Sequence, residues 1–387
     1  MKPKICVVSG SRAEYGLLKN ILLPLEDSNI LDKYFIVTGS HLSARHGETI
    51  NEIRNDNITI NEEISILKND DRPGTITSAI SDAIKFFSRS FEKLDPDLVL
   101  ILGDRYEIFA VAIAAMINNI PIAHIHGGES TEAAIDESIR HSITKMSYFH
   151  FVAADEYKKR VIQLGENPNR VFLVGGLGID SIKNNNFYSK EELEDKYKIK
   201  FKNKSLSITV HPVTLEQENN EKLIEELLKA LNEFPDTTLI FTMPNADIDG
   251  DLIAKRIISF CAERDNCYFY ESLGHMGYLS LLMNIDGVVG NSSSGLLEAP
   301  FCGIGTVNIG DRQTGRIKAE SIIDVSVEKK DIVDAIRQIM STRFKKSIKN
   351  QANLFGNGGA GKRIVEILEK QLTINKNKFL KKEFFDI

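Results

Sequence analysis

Six ionisable residues follow two neighbouring apolar runs of this chain, and their types could perform acid and base chemistry. The run 98–102 ends in Gly-Asp-Arg, and the run 120–125 ends in His-Gly-Gly-Glu. A helical segment joins the two runs, so they are predicted strands of one parallel sheet that is buried on both faces. Because open α/β sheets bind ligands beyond the carboxyl ends of their strands, the six residues should share one crevice. They are Asp104, His126, Glu129, Asp136, Arg140 and His141.

These residues predict an acid/base site with a cation beside it, and they require neither a metal nor a cofactor. No trio of histidines and carboxylates has the helical spacing of metal ligands. No GxSxG motif and no Cys/His pair indicates a covalent nucleophile. Closely spaced carboxylates should differ in pKa, which allows one to donate and another to accept a proton at neutral pH.

A second segment, residues 290–300, has the composition of a diphosphate-binding loop. It follows the apolar run 287–289 and opens a helix, whose N-terminus favours negative charge. An N-capping serine cluster has the same composition, but Glu298 one turn into the helix, with Arg312 and Arg316 further on, favours a nucleotide diphosphate. The candidate contacts are Ser292, Ser293, Gly295, Glu298 and Arg312.

Two other glycine-containing segments have part of the composition of a phosphate-binding motif. Residues 9–16 read SGSRAEYG after the first apolar run, and Arg12 has donors suited to phosphate oxygens. A tight strand-to-helix connection with a solvated arginine explains this segment equally well, and the missing GxGxxG pattern disfavours a nicotinamide cofactor. Residues 356–363, GNGGAGKR, lack the preceding buried strand and the final hydroxyl of a P-loop, so an ATPase is rejected.

Histidines near the ends of predicted strands are further candidate site residues. His211 ends an apolar run and is expected to face a binding cleft, and His41 follows the run 34–38 at the rim of the first domain. His124 lies inside a run, which favours a core or supporting role.

Apolar runs alternate with helical segments along the chain, and these elements must position the candidate residues. Such alternation predicts parallel α/β sheets with right-handed crossovers. The polar stretch 183–204 separates two series of runs. We therefore expect two doubly wound, Rossmann-like domains facing across a cleft: 1–178, completed by a C-terminal helix at about 365–387, and 179–364. The predicted strands are 5–8, 34–38, 98–102, 120–125, 148–153 and 171–174 in the first series, and 206–210, 238–242, 267–270, 287–289, 306–309 and 322–325 in the second.

Composition narrows the class of protein. The 387 residues are 42% hydrophobic and 26% charged, as in ordinary globular proteins, and exceed the usual size of one core. The net charge of -6 provides no overall attraction to nucleic acid or to anionic membranes. Four cysteines without CxxC spacing predict reduced thiols and a cytoplasmic protein, and no run approaches a membrane span. The basic tail 370–382 is predicted to be a helix end and a solvated segment.

Together these segments resemble the UDP-N-acetylglucosamine 2-epimerases, specifically the hydrolysing branch that feeds sialic-acid-type sugars. The resemblance implies a GT-B-like architecture with the nucleotide held by the C-terminal domain, a UDP-sugar as substrate, and a homodimer or homotetramer. The matching segments, in chain order, are SGSRAEYG, TGSH, GDRYE, HIHGGE, DESIRHSITKMS, HPVT, PNAD, GNSSSGLLEAP and GDRQTGR.

The resemblance also implies roles for single residues. Asp104 and Asp136 would be catalytic, Glu298 would bind the ribose, and Asn245 and His275 would bind the nucleotide. His211 would contact the diphosphate or assist proton transfer. Arg12, Arg140, Ser292, Ser293 and Arg312 would stabilise the departing diphosphate.

One position departs from the family pattern. Some members have an acidic residue where this chain has His126, and their loop to the next aspartate is one residue shorter. Glu129 or His126 itself would then take over that catalytic role. A related subgroup acts on a UDP-2,4-diacetamido-trideoxy sugar on the way to legionaminic acid, so this substrate is a second possibility.

Two other functions use a similar nucleotide site. A GT-B glycosyltransferase needs an acceptor groove but no cluster of carboxylates beside C2 of the sugar. A catalytically silent nucleotide-sugar-binding regulator has no use for buried carboxylates, which are costly to maintain. The cluster of Asp104, Glu129 and Asp136 favours the epimerase over both.

Overall fold

The computed structural model describes residues 2–43, 48–68, 72–131, 135–183, 187–213, 218–244, 250–349, 351, 353–373 and 379–387. The chain forms two compact units, each built on one parallel sheet. The first unit contains Met1–Glu129, Ile135–Ser181 and Phe355–Ile387, and the second contains Ser130–Ala134 and Ile182–Leu354. The chain returns to the first unit at Phe355, earlier than residue 365, where the sequence placed the return.

The first unit has a seven-stranded sheet in the order β3-β2-β1-β4-β5-β6-β7. The strands are β1 (Lys4–Ser9), β2 (Asp32–Thr38), β3 (Glu62–Ile64), β4 (Leu98–Leu102), β5 (Ile122–Ile125), β6 (Phe149–Val152) and β7 (Val171–Leu173). The helices are α1 (Arg12–Glu26), α2 (Ile50–Asn55), α3 (Pro73–Leu94), α4 (Tyr106–Ile117), α5 (Ile135–Met146), α6 (Asp155–Gln163), α7 (Leu177–Lys183), which runs into the second unit, and α15 (Ala360–Leu372).

The second unit has a six-stranded sheet in the order β10-β9-β8-β11-β12-β13. The strands are β8 (Lys204–Thr209), β9 (Thr237–Thr242), β10 (Cys267–Tyr270), β11 (Gly287–Gly290), β12 (Gly305–Ile309) and β13 (Ile322–Val325). The helices are α8 (Lys190–Tyr197), α9 (Glu218–Leu231), α10 (Gly250–Ala262), α11 (Gly274–Asn284), α12 (Ser294–Phe301), α13 (Lys329–Met340) and α14 (Thr342–Ile348). The predicted fold class is confirmed, because every predicted run overlaps one of these parallel strands.

Both sheets are buried on both faces, which explains why their strands are continuously apolar. In β4, Leu100 belongs to one hydrophobic cluster and Ile101 to another. In β11, Val289 and Val288 divide between two clusters in the same way. Because successive side chains of a strand point to opposite faces, helices must cover each sheet on both sides.

Each sheet has one point where the strand order reverses. In the first sheet it lies between β1 and β4, and in the second between β8 and β11. Such a switch point opens a crevice at the carboxyl ends of the strands, where ligands bind in this type of fold. Asp104 follows β4, and His211 and Asn291 follow β8 and β11, so candidates in each unit lie at this position.

The glycine-rich segment 356–363 is not a phosphate loop. It leads into α15, whose first amides, Ala360 N and Gly361 N, donate to the carboxylate of Asp180 at 3.0 Å and 2.7 Å. A helix N-terminus that is already occupied by a carboxylate of the same unit offers no place for an anion. This contact supports the rejection of an ATPase that was based on the sequence.

The expected solvation of the C-terminal tail is wrong for Phe379 and Lys382, whereas Leu380 is 42% exposed. Phe379 is 4% exposed. Lys382 Nζ donates to the main-chain oxygens of Lys145 and Ser147, both at 2.7 Å. The tail therefore packs onto the first unit at the C-terminal end of α5.

The expectation that all cysteines are reduced is also wrong, because Cys261 and Cys267 form a disulfide between the end of α10 and the start of β10. Cys6 and Cys302 are free thiols. Among the described residues, no helix combines the length and the apolar character needed to cross a membrane.

Candidate active site

Arg140 joins the acid/base residues of the first unit. Its side chain lies on α5 and is only 1% exposed. Nε donates to Asp104 Oδ2 at 2.8 Å, and Nη2 donates to the same oxygen. Nη1 donates to the main-chain oxygen of Glu129 at 3.0 Å and to Glu137 Oε2 at 2.5 Å. One guanidinium therefore connects the segments after β4 and β5 with the first turn of α5.

The turn after β5 holds a histidine-carboxylate pair. His126 Nδ1 lies 3.0 Å from Glu129 Oε1, and the Glu129 residue is 6% exposed. His126 has a φ of +66°, a left-handed conformation that is uncommon for a residue with a Cβ and that recurs at functional sites. Gly128 has a φ of +79°, and a Cβ there would press against the carbonyl oxygen of Tyr157 on α6. These backbone conformations therefore restrict where the main chain of Glu129 lies.

His124 supports the Asp104 segment from within β5. Its Nε2 lies 2.8 Å from the Gly103 oxygen, and its Nδ1 lies 3.1 Å from Thr144 Oγ1. Burial lowers the pKa of His124 to about 3, so the ring is neutral. A carbonyl oxygen only accepts, so Nε2–H donates to Gly103, the residue before Asp104. This contact agrees with the supporting role expected for His124.

Asp136 and His141 lie on the same helix as Arg140. Asp136 is partly buried in the first turn of α5. His141 Nε2 lies 3.0 Å from Glu137 Oε1, and Glu137 in turn contacts Arg140. The structure thus connects Asp104, Glu129, His126 and Arg140 through direct contacts, and His141 through Glu137. Asp136 is adjacent in sequence to Glu137.

His41 and Arg12 are placed differently from each other. His41 is fully buried, with Nε2 2.9 Å from Ser9 Oγ and Nδ1 2.8 Å from Thr49 Oγ1. Burial lowers the pKa of His41 to about 4. The expected position at the rim is therefore wrong, and these contacts favour a structural role between β1 and the start of α2. Arg12 is exposed at the first position of α1.

Asn291 connects the nucleotide candidates of the second unit. Its Oδ1 accepts from His211 N at 2.7 Å, and its Nδ2 donates to His211 O at 2.8 Å. Its main-chain oxygen accepts from Arg312 Nη1 at 3.1 Å and from Gln313 Nε2 at 2.7 Å. Burial, together with the charge of Arg312, lowers the pKa of His211 to about 3, so its ring is neutral at physiological pH. A neutral imidazole and a guanidinium therefore adjoin the same asparagine.

The serine-rich loop brings the N-terminus of α12 close to the sheet. A Cβ at Gly295 would lie 2.7 Å from Thr306 Cγ2 of β12, so only glycine permits this approach. Ser293 is the N-cap residue of α12 and makes no side-chain capping hydrogen bond. The N-capping explanation of these serines is therefore not supported for Ser293, and Ser292 accepts only a long 3.4 Å bond from Ser294 N.

Helices α11 and α12 begin beside each other. Tyr278 on α11 donates through its hydroxyl to Ser294 Oγ at 2.9 Å. His275 lies in the first turn of α11, and Glu298 lies one turn into α12, both partly buried. Asn245, the remaining candidate, lies outside the described residues. Over the described ranges, no three His, Cys, Asp or Glu side chains are grouped so that they could hold a metal ion.

Sequence reasoning missed several residues that hold this site together. Glu137 had a local signal, since it precedes Arg140 and His141 by three and four residues on one helix face. The side chains of Asn291 and Gln313 bond main-chain groups far away in sequence, and such contacts leave no periodic pattern.

Two doubly wound parallel sheets, with acid/base residues at the switch point of one and anion-binding candidates at that of the other, define a GT-B-like α/β protein. A family model described as UDP-N-acetylglucosamine 2-epimerase matches residues 24–369. The chain therefore belongs to the UDP-N-acetylglucosamine 2-epimerase family.

Individual relatives agree with this assignment. The chain is 41% identical over 387 residues, all of both chains, to a protein of Campylobacter jejuni named GDP/UDP-N,N'-diacetylbacillosamine 2-epimerase (hydrolyzing). It is also 41% identical, over 99% of this chain and 97% of the relative, to polysialic acid biosynthesis protein P7 of Escherichia coli. A crystal structure of UDP-GlcNAc 2-epimerase from Neisseria meningitidis bound to UDP-GlcNAc shares the fold, with a TM-score of 0.83, 21% identity, and coverage of 95% of this chain and 100% of that chain.

Proposed function

We propose that this protein is a hydrolysing 2-epimerase of a UDP-activated 2-acetamido sugar, with UDP-N-acetylglucosamine as the first candidate. The contact of Arg140 with Asp104 and with the turn that holds the His126–Glu129 pair carries the proposal. Such a reaction must remove a proton from one sugar carbon and return another, so it needs acid and base groups fixed close together. The family assignment and the Campylobacter relative named as hydrolysing support the same activity.

The chemistry couples loss of UDP to loss of a proton. The C2 hydrogen is not acidic while C1 is neutral, but breaking the C1–O bond develops positive charge on the ring. The bonding electrons leave with UDP, a carboxylate of Asp104, Glu129 or Asp136 takes the C2 proton, and the C1–C2 double bond of a 2-acetamidoglucal forms. Water then adds hydroxyl to C1, and a proton returns to the opposite face of C2, which gives free N-acetylmannosamine.

The residues of the second unit would stabilise the departing diphosphate. Arg312 offers guanidinium donors, and the N-terminal end of the α12 dipole favours negative charge. The neutral ring of His211 would donate one hydrogen bond without adding a charge. Donors fixed before the reaction lower the barrier because they need not reorganise while the charge develops.

A second candidate substrate has support of its own. The Campylobacter relative is named for diacetylbacillosamine, a sugar with a second acetamido group, and it matches the full length of this chain. The proposed steps are the same for that sugar, because they involve only C1 and C2.

The experiment is to incubate the protein with each UDP-sugar in D₂O and to analyse the products by mass spectrometry and NMR. We expect UDP and a free 2-epimeric sugar with one deuterium at C2, and the ratio of kcat/KM identifies the better substrate. Release of UDP without deuterium at C2 would exclude the elimination route. Turnover that requires an added sugar acceptor would instead indicate a glycosyltransferase.

A further inference from the structure

Three successive carbonyl groups in the turn after β5 are each held by a different arginine. Gly128 O accepts from Arg160 Nη1 at 2.5 Å, and Glu129 O accepts from Arg140 Nη1 at 3.0 Å. Ser130 O accepts from Arg316 Nε at 3.3 Å. The first two arginines belong to the first unit, whereas Arg316 belongs to the second, as do Ser130 and Thr131.

Arg316 makes a two-point contact with this segment. Besides the bond to Ser130 O, its Nη2 donates to Thr131 Oγ1 at 3.1 Å. Ser130 and Thr131 are 8% and 9% exposed, so water competes little for these bonds. The fixed fork of a guanidinium restricts both the position and the orientation of its acceptors, which a lysine would not do.

The loop that carries Arg316 also carries the nucleotide candidates. Arg312 and Gln313 both donate to the main-chain oxygen of Asn291, and Asn291 holds both backbone groups of His211. Arg316 N bonds back to Gln313 O at 3.4 Å within the same loop. Through Arg316 this loop is therefore connected to Ser130, the residue bonded covalently to Glu129.

We propose that Arg316 is a positioning residue for the acid/base site, through which the nucleotide-binding loop of the second unit sets the position of the Glu129 segment. The inference rests on the proposed function for its catalytic consequence. Arg316 itself need not touch the substrate. Binding of the nucleotide and placement of the carboxylate would thus be linked by one side chain.

The test compares Arg316→Met, Thr131→Val and the double variant with the wild-type protein. We expect R316M to lower kcat about 10- to 100-fold, since small displacements of catalytic groups have effects of this size. The Kd for UDP, measured by calorimetry, should stay within about two-fold. T131V should have a smaller effect and should add nothing to R316M, because both remove the same contact.

Lys318→Met is the matched control. Lys318 is a cation of the same loop, but both its bonds go to Asp324 on β13, so kcat and the Kd for UDP should not change. An R316M enzyme with wild-type kcat, strictly multiplicative effects in the double variant, or a UDP affinity that falls in parallel with kcat would each overturn the proposal.

Hydrogen exchange separates this inference from the proposed function. In R316M, the amides of Glu129, Ser130 and Thr131 should exchange faster than in the wild type and in K318M. This measurement needs no substrate, so it decides the positioning even if neither UDP-sugar is turned over. Unchanged exchange rates in R316M would show that Arg316 does not position the Glu129 segment.

Discussion

At the scale of single residues, the buried guanidinium of Arg140 determines where the Asp104 carboxylate lies. A buried charge is costly unless it is paired and hydrogen-bonded, and Arg140 satisfies this need with Asp104, Glu137 and the Glu129 carbonyl. Two carboxylates therefore compensate one charge. Of these two carboxylates, only Asp104 is a proposed catalytic group. Comparing variants of Asp104 and Glu137 therefore separates the effect on structure from the effect on catalysis.

We predict that Asp104→Asn lowers kcat by about 10²- to 10⁴-fold, the usual contribution of a positioned acid or base. Glu137→Gln is the matched control, since it also removes a carboxylate from Arg140 and should lower the melting temperature by a comparable amount. Its loss of kcat should be clearly smaller. Steady-state release of UDP and thermal unfolding of both variants check this, and equal losses of kcat would remove Asp104 from the catalytic residues.

At the scale of elements, the turn between β5 and α5 depends on a glycine that no other residue can replace without strain. Gly128 combines a φ of +79° with close contact to the Tyr157 oxygen and with Val161 Cγ2 2.9 Å from a built Cβ. Gly103, after β4, has a similar φ of +84° but no atom within 4 Å of a built Cβ. The two positions differ mainly in this steric contact.

We predict that Gly128→Ala destabilises the protein more than Gly103→Ala does. The left-handed conformation costs a residue with a Cβ about 1–2 kcal/mol, and this cost is common to both variants. Only G128A must also displace α6 or the turn, which moves Glu129 next to it. Melting temperatures of the two variants measure the difference. Equal melting temperatures would show that α6 accommodates the added methyl group without a loss of stability, which would contradict the prediction.

The elements show what the sequence could predict and what it could not. Continuous apolar runs located the strands because both sheets are buried on both faces, and the proximity of Asp104 and Arg140 followed from parallel strand ends. The edge strand β3 was missed because it has three residues, two of them glutamates. The bonds of Arg316 to Ser130 and Thr131 join residues far apart in sequence, and no periodicity or spacing reports such contacts.

At the scale of the whole molecule, the end of the chain returns to the helix that carries Arg140. Glu166, which is fully buried, accepts bonds from Lys145 at 2.6 Å and from Lys382 at 2.7 Å, and lies 3.0 Å from His150 Nε2. Phe385 N donates to Gly165 O at 2.9 Å beside this cluster. One buried carboxylate therefore ties the tail to α5 and β6, two elements of the acid/base unit.

This cluster predicts how stability changes with pH. Although burial acts in the opposite direction, hydrogen bonds from His150, Lys145 and Lys382 lower the pKa of Glu166 to about 2, below the ordinary value of about 4.3. A carboxyl whose folded-state pKa is lowered contributes stability that is complete above its unfolded-state pKa and is lost as the pH falls towards the folded-state value.

We therefore expect Glu166→Gln to lower the melting temperature most above pH 5, with the difference from wild type shrinking between about pH 4.3 and pH 2. Thermal unfolding from pH 3 to pH 7 tests this, with Glu328→Gln, which removes an exposed pair with Lys222, as the control that should show little effect at any pH. A difference between wild type and E166Q that stays constant down to pH 3 would mean that the ionised Glu166 does not hold the tail to the acid/base unit.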